Sequence, residues 1–185
     1  MAKVDHLLEN YRRHVGLRWE QGIAGKQRVW FAVYDNIDER SVRLRLDDFA
    51  AATMQSGHGW LVLDLTDLFP RWMAANDYRD AYFGAPEDLD DDAKAGFEES
   101  LAQQVLAVLT DAKADERSVV ALVGCGSLYG ITRLSLLLGR IEGAIRGRLL
   151  VFFQGSFDES HTYRLLEARP DWNYMAVPIT ARPGN

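Results

Sequence analysis

The chain has one cysteine, Cys125, among its 185 residues. No disulfide can close within it, and a reducing, cytoplasmic setting is the expectation. It has no uncharged apolar run near the roughly 18 residues of a membrane-spanning helix. The opening Met1-Ala-Lys-Val-Asp-His6 lacks the charged-then-apolar pattern of a secretory signal, so none is expected. The histidines are His6, His14, His58 and His161, and none stands at metal-ligand spacing from another His or a Cys. A dedicated zinc site is therefore not expected. No lysine follows Lys113, an absence that decides the reading of the glycine-rich bend below. Internal repeats and low-complexity tracts are also missing.

What is present suits one folded domain spanning 1–185. The chain is 48% hydrophobic and 26% charged, with five Trp, eight Phe and seven Tyr to fill a core. Charge is uneven: +3 over residues 1–46, −11 over 47–117 and +2 over 118–185, for a net −6. Duplex nucleic acid is a poor partner for such a chain, because phosphate contacts need clustered Lys and Arg. The acidic stretch can attract a basic protein surface, or simply be solvated.

Val4, Leu7, Leu8, Tyr11 and Val15 fall at helical spacing and predict an N-terminal amphipathic helix over 3–15. Arg28-Val-Trp-Phe-Ala-Val-Tyr34, too short for a helix and rich in β-branched and aromatic residues, predicts a buried strand. A turn at 35–38 follows, with Asp38 as candidate N-cap, and then one helix over about 42–54. A second buried strand is read at Gly59-Trp-Leu-Val-Leu-Asp-Leu65. Leu68-Phe-Pro-Arg-Trp-Met73 reads as a helical piece interrupted by Pro70, and 76–92 as an exposed acidic connection. A long helix is expected over 93–113, a third strand over 117–123, a helix over 131–145 and a fourth strand over 148–153. Asn173-Tyr-Met-Ala-Val-Pro-Ile179 completes the set as an edge strand, since Pro178 has no backbone donor.

Continuously apolar strands alternating with helices imply an α/β fold: a mostly parallel sheet of about five strands with helices on both faces. Right-handed crossovers place loops 35–38, 66–70, 124–130 and 154–160 along the carboxyl edge of the sheet, where open α/β folds bind ligands. The arrangement resembles a P-loop/RecA-like one without the Walker lysine.

The strand, glycine-rich turn and helix at 117–145 are the candidate ligand loop: Gly124, Gly126, Ser127, Leu128 and Tyr129. Backbone amides at a helix N-terminus hold phosphates. The Walker pattern needs Lys then Ser or Thr after its last glycine, but Gly130 precedes Ile131 and Thr132. The dinucleotide pattern also fails, with Tyr129 at its third glycine position. Glycines permitting a tight turn are the better reading. The positions two residues either side of Ser127 are Cys125 and Tyr129, not the glycines of a nucleophile elbow, and Ser127 is read as an N-cap. Cys125 reads as either a thiol activated by the helix end or a small, inert core residue. Asp64 and Asp67 flank the second strand's end, with helix capping favoured for Asp67. The run 88–92 lacks a calcium-loop ligand pattern. Arg133 and Arg140, on one face of the 131–145 helix, join Arg146 and Arg148 as the densest basic feature, either a clamp for an acidic partner or phosphate or an ordinary polar face. No metal, cofactor or catalytic residue is expected.

Val123-Gly-Cys-Gly-Ser-Leu-Tyr129, Arg133, Leu136-Leu-Leu138, Leu150-Val-Phe-Phe-Gln-Gly-Ser-Phe-Asp158, Tyr163-Arg-Leu-Leu166 and Trp172-Asn-Tyr174 recur in this order in a known family. Over about 117–180 the sequence resembles the BrxB family of the BREX bacteriophage-exclusion systems. Gln154-Gly155 stands where the family commonly has Pro-Gly. The resemblance implies a component of an anti-phage assembly acting as an adaptor, with a PglZ-like protein the favoured partner, and it brings no catalytic residues. Trp72, Tyr78, Tyr82, Phe83 and Phe157 are candidate partner contacts, because aromatic residues concentrate in binding hot spots. Each is equally compatible with a place in the core. The alternative is nucleotide binding, with weak hydrolysis, at Gly124–Gly130.

Overall fold

A computed structural model of the chain describes residues 2–20, 22–157, 163–165 and 176–182. Five parallel strands form its centre: β1 (Val29–Tyr34), β2 (Gly59–Asp64), β3 (Ser118–Val123), β4 (Arg148–Phe157) and β6 (Val177–Thr180). Their order across the sheet is β2-β3-β4-β1-β6, and a short β5 (Tyr163–Leu165) pairs antiparallel with the end of β4. The single-domain α/β reading holds.

Every residue of β1 and β3 is buried, which is why these strands read as unbroken apolar runs instead of alternating ones. The pleat nevertheless divides each run between two cores. Trp30, Ala32, Tyr34, Val119, Ala121, Val123, Leu150 and Phe152 face one core. It is closed by α1 (Ala2–Val15), α2 (Glu39–Leu44) and α3 (Leu46–Gln55). Val29, Phe31, Val33, Val120, Leu122, Leu149, Val151 and Phe153 face the other. There α4 (Leu68–Ala74), α6 (Asp91–Leu109) and α7 (Leu134–Ile141) lie over the sheet. All five apolar positions expected for α1 are buried.

Several expectations need correction. The second strand is not buried: β2 is an edge strand, and Val62 on it is 50% exposed. Continuous apolarity does not tell a strand covered on both faces from one that ends a sheet. The helix over 42–54 is two helices, broken at Arg45, whose ψ of 6° leaves helical geometry. Pro70 does not interrupt α4; it stands in the first turn, where its missing N–H costs nothing. The exposed connection contains a short helix, α5 (Arg79–Gly84). The helix over 131–145 shrinks to α7, because Gly130 takes φ +77° and Arg133 stays extended. The fourth strand runs on to Phe157. The last strand is β6, at the edge as expected, with Pro178 opposite Phe31; residues 173–175 lie outside those described.

Candidate functional site

The loops leaving β1 and β3 turn to opposite faces of the sheet, on either side of β4. A ligand crevice of an open α/β sheet opens at such a point. Here its β3 side, over the glycine-rich bend, is occupied by the protein's own side chains.

Tyr34 ends β1, and its hydroxyl donates to Glu39 Oε2 at 2.5 Å. Glu39 Oε1 accepts from Arg43 Nε at 2.5 Å, one turn along α2. Arg43 reaches across to the end of β2, placing Nη1 2.6 Å from Asp64 Oδ2 and Nη2 2.6 Å from Thr66 Oγ1. Thr66 closes the chain by donating from its amide and hydroxyl to Asp64 Oδ1. The Arg43 guanidinium is held protonated, above its ordinary range, by the Asp64 hydrogen bond, which with Glu39 outweighs burial. Burial opposes ionisation of Asp64, but Arg43 and Thr66 outweigh it and keep its carboxyl below the usual range. Burial, and then Glu39 beside it, pushes the Tyr34 phenol up.

This network packs onto the glycine-rich bend. Gly124 takes φ +74°, and a Cβ there would overlap Thr66 Oγ1 and crowd Asp64 and Arg43. A Cβ on Gly126 would overlap the amide of Gln154, the buried last residue of β4's core segment. The glycines are thus required by close approach as well as by the turn. The bend does not feed a helix: a single 3-10 turn, Cys125–Leu128, follows, and α7 begins only at Leu134. The amides of Ser127 and Tyr129 donate to Gly124 and Gly126 carbonyls within the bend. The N-cap role of Ser127 is corrected: its hydroxyl donates, at 2.8 Å to the Gly124 carbonyl and 3.2 Å to the Leu65 carbonyl. Leu128 is buried, and Tyr129 is 55% exposed.

Cys125 is fully buried, and burial pushes its thiol up to about 12, so the inert reading holds over the activated one. Asp38 and Asp67 do stand at the N-caps of α2 and α4, yet neither side chain caps. Asp67 instead lies 3.8 Å from Arg71. Among the described residues no cluster of His, Cys, Asp and Glu could hold a metal ion, and no helix is long and apolar enough to cross a membrane.

The four arginines do not form one patch. Arg133 is exposed and precedes α7, whereas Arg140 on α7 is paired with Glu98 and Glu99 of α6. Arg146 and Arg148 lie at the opposite, amino edge of the sheet, because they lead into β4. The aromatic candidates also separate. Trp72 packs on Phe69 and Phe97, and with Tyr78 it lines a shallow groove at the α4–α5 corner. Tyr78 and Phe83 are each 70% exposed, and Tyr82 is half-buried. Phe157 lies at the far end, in a groove of about 450 Å³ over the carboxyl ends of β1, β4 and β6 with Lys3, Asp35, Asp38 and Arg182.

Glu39, Arg43 and Gln154 escape sequence reasoning. A Glu–Arg pair four residues apart on a helix is an ordinary surface pattern, and the reach of Arg43 to Asp64 depends on how α2 lies over the sheet. No family model, curated protein or solved structure matches the chain.

Proposed function

We propose that this chain is a non-catalytic adaptor of a BREX-type anti-phage assembly, cytoplasmic, and that it binds a PglZ-like protein. The observation that carries the reading is the sealed bend: the glycine-rich turn that would cradle a phosphate in an α/β enzyme of this topology is covered by Arg43, Asp64, Thr66 and Gln154. The order of short motifs shared with the BrxB family supports the same reading. So do Tyr78 and Phe83, which stand exposed around α5 in the most acidic third of the sequence. Exposed aromatic side chains suit anchoring a protein partner, and the acidic surplus of this stretch favours a basic one.

Co-expression with a PglZ-like protein tests this directly. The two should co-purify, and Tyr78→Ala with Phe83→Ala should weaken the complex at least tenfold while leaving the melting temperature nearly unchanged. No association at micromolar concentrations overturns the reading.

Nucleotide binding at Gly124–Gly130 through Ser127 has less support, since the bend has no lysine and little free space. A thermal-shift panel of nucleotides should be flat. A concentration-dependent rise that Ser127→Ala abolishes would favour that alternative.

A further inference from the structure

The amino edge of the sheet gathers three arginines, Arg28, Arg146 and Arg148. β1 and β4 pair Val29 with Leu149, so the residues just before them, Arg28 and Arg148, enter the sheet side by side. Gly147, where a Cβ would run into the Ser118 and Asp115 carbonyls, lets the start of β4 press against the start of β3. Arg146 and Arg148 flank that glycine. With Trp19, Glu20, Gly22 and Glu116 the three arginines line one pocket of about 140 Å³.

Backbone and rings hold each guanidinium in place. Arg148 is only 6% exposed; it donates to the Gly147 carbonyl at 3.0 Å and the Glu20 carbonyl at 3.1 Å, and it lies 4.8 Å from the centre of the Trp19 ring. Arg28 donates from Nη1 to the Ile145 and Arg146 carbonyls at 2.6 and 3.1 Å, and its buried Nε has no partner among the described residues. Arg146 donates from Nη2 to the Asp111 carbonyl at 2.5 Å. Among the described residues, no carboxylate oxygen comes within 4.0 Å of any of the three. Burial, and then the Arg28 charge, makes Arg148 easier to deprotonate than a free arginine, with Glu20 opposing them.

Carbonyls orient the guanidiniums but do not neutralise them, and each retains N–H donors beyond those in use. We propose that this pocket binds a tetrahedral oxyanion, the phosphate group of a phosphomonoester or inorganic phosphate, between Arg28, Arg146 and Arg148. Guanidinium forks suit the several oxygens of a phosphate group. The space takes one small anion, being well below the roughly 300 Å³ at which pockets for drug-sized ligands begin. Glu20 and Glu116 line the pocket and oppose the anion. This site is remote from the Gly124 bend and does not rest on the adaptor reading.

The test is titration calorimetry at low ionic strength with inorganic phosphate, glycerol phosphate and acetate as probes. Saturable one-to-one binding of a phosphate probe is expected. Arg146→Gln, at an exposed residue, should weaken it at least tenfold without loss of fold, and Glu116→Gln should tighten it about twofold to fivefold. Tighter binding of glycerol phosphate points to a monoester as the natural ligand, and tighter binding of inorganic phosphate to the free ion. The proposal is overturned by the absence of saturable binding up to about 10 mM, by acetate binding as well as phosphate, or by unchanged affinity in Arg146→Gln.

Discussion

Arg43 Nη1 lies 2.6 Å from Asp64 Oδ2, joining α2 to the end of the edge strand β2 across the carboxyl edge of the sheet. Both side chains are partly exposed, so solvent screens the pair, and its worth is about 1 kcal/mol. Asp64→Asn should lower unfolding stability at pH 7 by that amount. The Asp64 carboxyl is held below its ordinary range in the folded protein. Its contribution is therefore complete above the unfolded value of about 4 and fades as pH falls through the lower folded one. Urea denaturation at pH 7 and at pH 2 should show the difference between wild type and variant shrinking on the acid side. A difference that stays constant would mean the link is not ionic.

Gly124 and Gly130 have nearly the same backbone, φ +74° and +77°, but different surroundings. Alanine in the left-handed region costs roughly 1–2 kcal/mol by itself, and a Cβ on Gly130 meets nothing within 4 Å. At Gly124 it must also displace Thr66, Asp64 and Arg43, adding about 1–3 kcal/mol of overpacking. Gly124→Ala should destabilise clearly more than Gly130→Ala. Equal losses in urea midpoint would show that the network yields freely and does not seal the bend.

The overlap at Gly126 is with a single side chain, Gln154. Gly126→Ala should thus lose about 1–3 kcal/mol, and much of that should return when Gln154→Ala is added. The double-mutant cycle measures the coupling. Additive effects would place the strain in the backbone of the bend instead.

The alternation of apolar strands and helices was legible because each strand and helix has its own periodicity. The all-parallel sheet followed from it, and so did the residues gathered at its carboxyl edge. What was not legible depends on neighbours distant in sequence. Gly59-Trp-Leu-Val-Leu-Asp-Leu65 reads like Ser118–Val123, yet only the second has strands on both sides. Arg133 and Arg140 are seven residues apart, but a helix joins them only if it starts before 133, and Gly130 delays it. The network over the glycine bend needed Arg43 and Asp64, 21 residues apart, to meet. The pocket at the amino edge needed the register that sets Arg28 beside Arg148.

Cys125 is the only thiol, so its reactivity reads directly on the bend. Burial raises it to about 12, leaving little thiolate at pH 8, and the residue is fully enclosed. Alkylation by iodoacetamide at pH 8 should be at least about a hundredfold slower in the native protein than in denaturant. Comparable rates would mean that the bend opens often enough to admit small molecules.

Tyr11 and Thr53 share a buried hydrogen bond of 2.6 Å between α1 and α3. The Thr53 hydroxyl proton already goes to the Phe49 carbonyl at 2.9 Å, so the Tyr11 hydroxyl is the donor to Thr53. Burial lifts the Tyr11 phenol above its ordinary range, keeping that proton in place at all ordinary pH. Tyr11→Phe removes the donor and leaves a Thr53 that is still bonded to Phe49, a cost of about 1 kcal/mol. Thr53→Val leaves a phenol hydroxyl buried without an acceptor and should cost more, roughly 1–3 kcal/mol. Removing both groups leaves nothing unsatisfied, so the double variant should be more stable than the sum of the two losses predicts, measured by urea denaturation. Strict additivity would show that water reaches the Tyr11 hydroxyl and that α1 is less firmly seated on α3 than the shared core implies.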